Sequence, residues 1–198
     1  MKITAENTKG NKIKIYADGE FLFTVPAVIW YSSRFRDGDE VQADELDELK
    51  NQGEFSLAFD SAMRILSIRA HSEFELQQKL CRKFSFPATE NALLKLRNLG
   101  LLDDGKYAAL LAQELYERKG FAPKRILIEL KNKGISSENA ENAINSLDID
   151  KEIGIIKIIE KYKIDENSTK KEKDRVIRRL LNMGYSFSDI SKYIHFYE

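Results

Sequence analysis

From about residue 50 onward the chain resembles itself at an interval of fifty residues, and this repeat constrains its fold more than any other feature. Leu76, Ile126 and Val176 correspond, as do Leu80, Leu130 and Leu180. Lys79, Glu129 and Arg179 hold the polar position just before the second set, and Leu94, Ile144 and Ile194 match further on. Positions 76/80, 126/130 and 176/180 are spaced i, i+4, so each pair lies on one helical face and forms a core seam. A short break follows each pair (Phe84-Ser85-Phe86-Pro87, Gly134-Ile135-Ser136, Gly184-Tyr185-Ser186), and then another helix. An amphipathic helix also precedes each pair. In the second unit it carries Tyr107, Leu110, Leu111 and Leu115, runs to Arg118, and has Asp103 or Asp104 as N-cap. In the first, Ser72 with Glu75 three residues on makes a capping box. The expectation is a mainly α protein of three tandem three-helix, helix-turn-helix-like repeats. Units of about forty-five residues bury too little to stand alone, so neighbours support one another in an elongated curved array.

The first third reads as β. Lys12 to Tyr16 and Glu20 to Val25 flank Ala17-Asp18-Gly19, where Asp-Gly favours a tight hairpin. Ile3-Thr4-Ala5, turning through Lys9-Gly10-Asn11, supplies a third strand, and Val28-Ile29-Trp30-Tyr31 can cover one face. After a turn at Arg36-Asp37-Gly38-Asp39, a helix begins at Asp44 with acidic residues near its positive end. The expected division is 1–50 for the β-rich segment and start of the acidic helix, then repeats over 51–102, 103–147 and 148–198.

Composition narrows the function classes. The longest apolar stretches, such as Ile153 to Ile159 broken by Lys157, fall short of the ~18 to 20 residues a membrane span needs. The N-terminus turns polar at once, unlike a secretory signal, so a cytoplasmic location is expected. One cysteine, Cys81, forms no internal disulfide, and with His71 and His195 it does not complete a tetrahedral zinc site. Cys81 reads as a packed or surface thiol, and both histidines as structural. No phosphate loop, dinucleotide fingerprint, nucleophile elbow or zinc-protease motif occurs, so no catalytic residue, cofactor or metal is nominated.

The 32 Lys and Arg balance the 32 Asp and Glu overall but not locally. Residues 37–60 are strongly acidic. Arg118, Lys119, Lys124, Arg125, Lys131 and Lys133 form a central basic cluster, and Lys170, Lys171, Lys173, Arg175, Arg178 and Arg179 a second. Such clusters neutralise phosphates or pair with an acidic protein, although each alone also reads as a solvated helix face. Between Lys119 and Lys124 lies Phe121, which reads either as a plug between two helices or as a stacking aromatic, the plug being the commoner arrangement. Ile126 to Leu130 is too apolar for a helix that reads DNA bases.

Leu99-Gly100-Leu101-Leu102-Asp103-Asp104-Gly105-Lys106-Tyr107-Ala108, followed by Arg118-Lys119-Gly120, Pro123-Lys124-Arg125-Ile126 and Glu129 to Ile135, resembles the second repeat of the RecX family of bacterial recombination regulators. Ala62 to Leu66 and His71 to Leu80 are similar to the family's first repeat, so the likeness spans about residues 55–147. Phe84 stands where the family pattern has Gly, and Asp165 to Lys170 looks like an insertion. The resemblance implies a non-enzymatic modulator that binds the RecA filament on single-stranded DNA along its groove. It would inhibit RecA ATPase, strand exchange and co-protease activity. Zero net charge leads to the expectation of only weak direct DNA binding, and a monomer is expected. On that reading Arg118, Lys119, Lys124, Arg125, Lys131, Lys133, Arg175, Arg178 and Arg179 face the filament or its DNA. The rival is a DNA-binding architectural or regulatory protein that acts without RecA.

Overall fold

The computed structural model describes residues 1–194; His195 lies outside the described residues. The chain forms two compact units, Met1–Asp103 and Asp104 onward.

In the first unit, β1 (Ile3–Thr8), β2 (Lys12–Ala17) and β3 (Glu20–Pro26) make an antiparallel sheet in the order β1-β2-β3. Asp18 and Gly19 turn the second hairpin with φ of 48° and 89°, the left-handed pair this tight connection requires. Alternation along β2 sends Ile13, Ile15 and Ala17 inward. Val28 to Tyr31, expected to cover the sheet, does so within a short helix, α1 (Ala27–Ser32), that buries Trp30 and leaves Val28 and Tyr31 exposed. The core here gathers Ile3, Ile13, Ile15, Val25, Trp30, Phe35, Leu46 and Leu49.

The helix beginning beside Asp44 is α2 (Glu45–Leu66), which runs unbroken through position 50, where the composition changes. Its first half buries Leu46 and Leu49 under the sheet, while Ala58 and Ala62 face helices α3 (Glu73–Leu80) and α4 (Phe86–Asn98). Gly53 lies in mid-helix because any Cβ there would overlap the Val25 side chain of β3. Acidic residues of this region are put to structural use. Asp37 accepts the Ala5 N–H at 2.7 Å, Glu45 pairs with Arg34 at 2.9 Å, and Glu54 accepts both the Ser85 N–H and its hydroxyl at the start of α4.

In the second unit α5 (Asp104–Lys119), α6 (Pro123–Asn132) and α7 (Ser137–Asn145) enclose Ala108, Ala112, Leu115, Ile126, Leu130 and Ala140. Helices α8 (Lys151–Lys161), α9 (Lys170–Asn182) and α10 (Phe187–Ile190) enclose Ile155, Val176, Leu180, Met183, Tyr185 and Ile190. The stretch Asp165 to Lys170 prepares α9: the Thr169 hydroxyl accepts the Glu172 N–H, and the Glu172 carboxylate accepts the Thr169 N–H in return.

The repeat is a packing repeat. Leu76, Leu80, Ile126, Leu130, Val176 and Leu180 are each at most 1% exposed. The match of Leu94 with Ile144 and Ile194 needs correction, because Leu94 is 49% exposed and Leu93 is fully buried. The reason lies in the preceding turn. The last helix of each repeat is capped by a serine, Ser85, Ser136 or Ser186, whose hydroxyl accepts a backbone N–H three residues on. In the later repeats Gly134 and Gly184 take φ of 75° and 92°, and the next N–H, of Ile135 or Tyr185, returns to the carbonyl of Leu130 or Leu180. In the first repeat the Phe84 N–H returns directly to Leu80, so the turn is one residue shorter and the register advances by one. Phe84 therefore does not stand in place of the glycine. It occupies the position of Ile135 and Tyr185, and the glycine position is missing.

Candidate functional site

The second unit brings together cations that lie far apart in sequence. The junction of α5 and α6 is short because Gly120, at φ 67°, ends one helix and Pro123 opens the next. Its backbone is tied to the α9–α10 turn: the Ala122 N–H donates to the Met183 carbonyl at 2.9 Å, and the Tyr185 hydroxyl donates to the Gly120 carbonyl at 3.0 Å. Burial, with Tyr116 nearby, raises the Tyr185 pKa above its ordinary value, which keeps that donor protonated. Gly154 in mid-α8 leaves room for the same hydroxyl. Gly184 packs against Arg125, where an added Cβ would lie 2.8 Å from the Arg125 backbone nitrogen.

This clamp creates adjoining clefts. One, of about 630 Å3, is lined by Arg118, Lys119, Phe121, Lys157, Lys161 and Arg179 among others. A second of about the same volume shares Phe121 and Arg179 and adds Arg125, Tyr162, Arg175 and Arg178. A third, about 440 Å3, continues past Arg125 and Asn182 to Lys124, Ile128, Leu181 and Phe187. The first two meet at Phe121 and Arg179 and the third joins the second at Arg125 and Asn182, so the three form one belt.

Phe121 is half-buried and packs against the cores on both sides of it, so the plug reading holds. Its ring also carries cations, with Lys119 at 5.7 Å and Arg125 at 5.6 Å from the centroid, and Arg179 sits 5.4 Å from the Tyr162 ring. Arg125 is otherwise engaged: it pairs with Glu129, and its Nε is buried without a hydrogen-bond partner. Arg118 pairs with Glu114 at 3.8 Å.

Seven of the nine sequence-nominated cations thus line the belt: Arg118, Lys119, Lys124, Arg125, Arg175, Arg178 and Arg179. Lys131 and Lys133, at the end of α6, line none of these three clefts. Sequence reasoning missed Lys157 and Lys161, whose i, i+4 spacing on α8 marks one face. It also missed the exposed apolar trio Ile128, Leu181 and Phe187, which no local pattern joins. Cys81 is exposed. Among the described residues no group of three or more His, Cys, Asp or Glu is placed to hold a metal ion, and no helix is long and apolar enough to cross a membrane.

A small antiparallel sheet and short helices in repeated units, the second unit carrying a belt of cation-lined clefts, define a mainly helical repeat protein. Comparison with known proteins gives the family. Residues 58–96 match the RecX first three-helix domain and residues 103–144 the RecX second three-helix domain. The regulatory protein RecX of Salmonella arizonae is 34% identical over 150 residues, spanning 70% of this chain and 90% of its own length. That of Bacillus subtilis is 27% identical over 194 residues, spanning 96% of this chain and 74% of its own. A crystal structure of a regulatory protein RecX aligns with a TM-score of 0.66 at 23% identity, over 98% of this chain and 96% of that one, a likeness of fold. The chain belongs to the RecX family of regulatory proteins.

Proposed function

We propose that this protein binds the RecA filament on single-stranded DNA and inhibits RecA ATPase, strand exchange and co-protease activity in recombination and repair. It works by contact rather than catalysis, as a cytoplasmic monomer, with its three-helix units over 51–102, 103–147 and 148–198 as successive contact modules. Family membership supports the choice of partner. The observation that carries the reading at this chain's own residues is the convergence of Arg118, Lys119, Arg175, Arg178 and Arg179 on one belt. A surface on which cations outnumber carboxylates steers and orients a large, oppositely charged assembly.

The test is single-stranded-DNA-dependent ATP hydrolysis by RecA of the same organism, titrated with this protein while binding to naked DNA is followed in parallel. Inhibition at concentrations too low to coat the DNA is the expected result. Inhibition that appears only once bare DNA is saturated would favour the architectural DNA-binding alternative. The double variant Arg175→Glu with Arg178→Glu, both exposed on α9, should raise the inhibitory concentration about tenfold, because two cations that attract the filament become anions that repel it.

A further inference from the structure

The belt differs along its length, and the difference says what it grips. Beyond Arg125 and Asn182 it opens into the groove of Ile128, Leu181 and Phe187, which are 43%, 41% and 53% exposed. Lys124 flanks that groove on α6, while Arg175 and Arg178 line the neighbouring cleft across Asn182. One accessible cation thus lines the apolar trough itself, and two more line the cleft that adjoins it at Asn182.

Single-stranded nucleic acid needs flat aromatic faces on which bases stack. In this belt the Phe121 and Tyr162 rings already carry ammonium or guanidinium groups, and Phe121 is wedged between two cores. Two of the three exposed apolar side chains of the groove, Ile128 and Leu181, are aliphatic and offer no face on which a base stacks; the third is Phe187. That combination suits the apolar face of a peptide, and the flanking cations suit carboxylates beside it. Arg125 pairs with Glu129, lies over the Phe121 ring and packs against the Gly184 turn, so it shapes the groove.

We propose that this groove docks an acidic amphipathic segment of a partner protein. Its apolar anchors sit on Ile128, Leu181 and Phe187, and its carboxylates face Lys124, Arg175 and Arg178. The proposal deepens the filament reading by making this contact one with protein rather than with DNA.

The test uses the full chain and a fluorescent peptide of about twenty residues, rich in Glu and Asp with Leu or Phe at every third or fourth position. Two further probes are a peptide of equal charge with each Leu and Phe replaced by Ser, and an oligothymidylate of similar length. The anchored peptide should bind at least about tenfold more tightly than the serine peptide. Leu181→Ser with Phe187→Ser should abolish that preference, and Arg175→Glu with Arg178→Glu should weaken both peptides and flatten their salt dependence. Because the serine peptide changes the probe and not the protein, the comparison survives any folding defect in a variant. Equal binding of both peptides, no peptide binding, or displacement of the anchored peptide by equimolar oligothymidylate would overturn the proposal. No RecA is present, so the outcomes separate. Peptide binding without RecA inhibition sinks the filament reading alone, and RecA inhibition without peptide binding sinks this one.

Discussion

Gly184 joins backbone conformation to the belt. Its φ of 92° disfavours a side chain, and a Cβ would lie 2.7 Å from the Cβ of Arg125. Gly184→Ala should therefore cost about 2 to 4 kcal/mol, the sum of a left-handed penalty and overpacking against backbone, read as a lower urea midpoint. His71 offers a second test. It is buried, its Nδ1 lies 2.9 Å from the Arg69 carbonyl, and its Nε2 lies 2.6 Å from the Lys79 ammonium. These partners call for the neutral ring, with Nδ1–H donating to the carbonyl and Nε2 accepting from lysine. Burial first, and then the Arg69 and Lys79 charges, hold its pKa below the ordinary 6.5, against the opposing pull of the Arg69 carbonyl and Glu75. Between the lowered value and 6.5 the unfolded chain binds the extra proton, so stability rises with pH. Stability should be fully present above 6.5 and fall as the pH drops toward the folded value. The urea midpoint measured from pH 7 downward should show that fall, and His71→Gln should remove it.

Helices here are held at their ends as much as along their faces. Ser72, Ser85, Ser136, Thr169 and Ser186 each accept a backbone N–H at a helix start, and local sequence announces such caps. Glu54 is the exception, because it reaches from α2 to receive the Ser85 N–H at 2.6 Å and the Ser85 hydroxyl at 2.8 Å, 31 residues away. Glu54→Ala should lower stability by about 1 to 2 kcal/mol in chemical denaturation, the cost of a lost charged acceptor at a helix start. Glu54→Gln, which keeps an acceptor, should recover part of it. The same end effects explain the misread register of the first repeat. A turn shortened by one residue carries Leu93 inward and Leu94 outward, and a fixed interval of fifty does not detect a one-residue deletion.

At the scale of the molecule, the unit from Asp104 onward has its own cores, around Leu115 and Leu130 on one side and Ile177 and Leu180 on the other. Main-chain and hydroxyl bonds at Ala122 and Tyr185 link the two. A fragment spanning 103–198 should thus fold alone and melt in one cooperative transition by circular dichroism. Two transitions would show that the Phe121 junction does not couple its halves.

The sequence by itself determined the helical repeats, their buried seams, the hairpin and the caps, because each depends on side chains within a few residues of one another. It also marked seven cations that meet on one belt, as charge runs along single helices. Only the tertiary structure decided which clusters meet. The bond from Tyr185 to Gly120 spans 65 residues, and it carries α9 beside the α5–α6 junction while Lys131 and Lys133 stay apart. Only the tertiary structure, too, set Ile128, Leu181 and Phe187 around one groove. Long-range packing of this kind rests on complementary shape, such as Gly154 making room for a hydroxyl and Gly184 for an arginine backbone, and shape leaves no periodic trace in the chain.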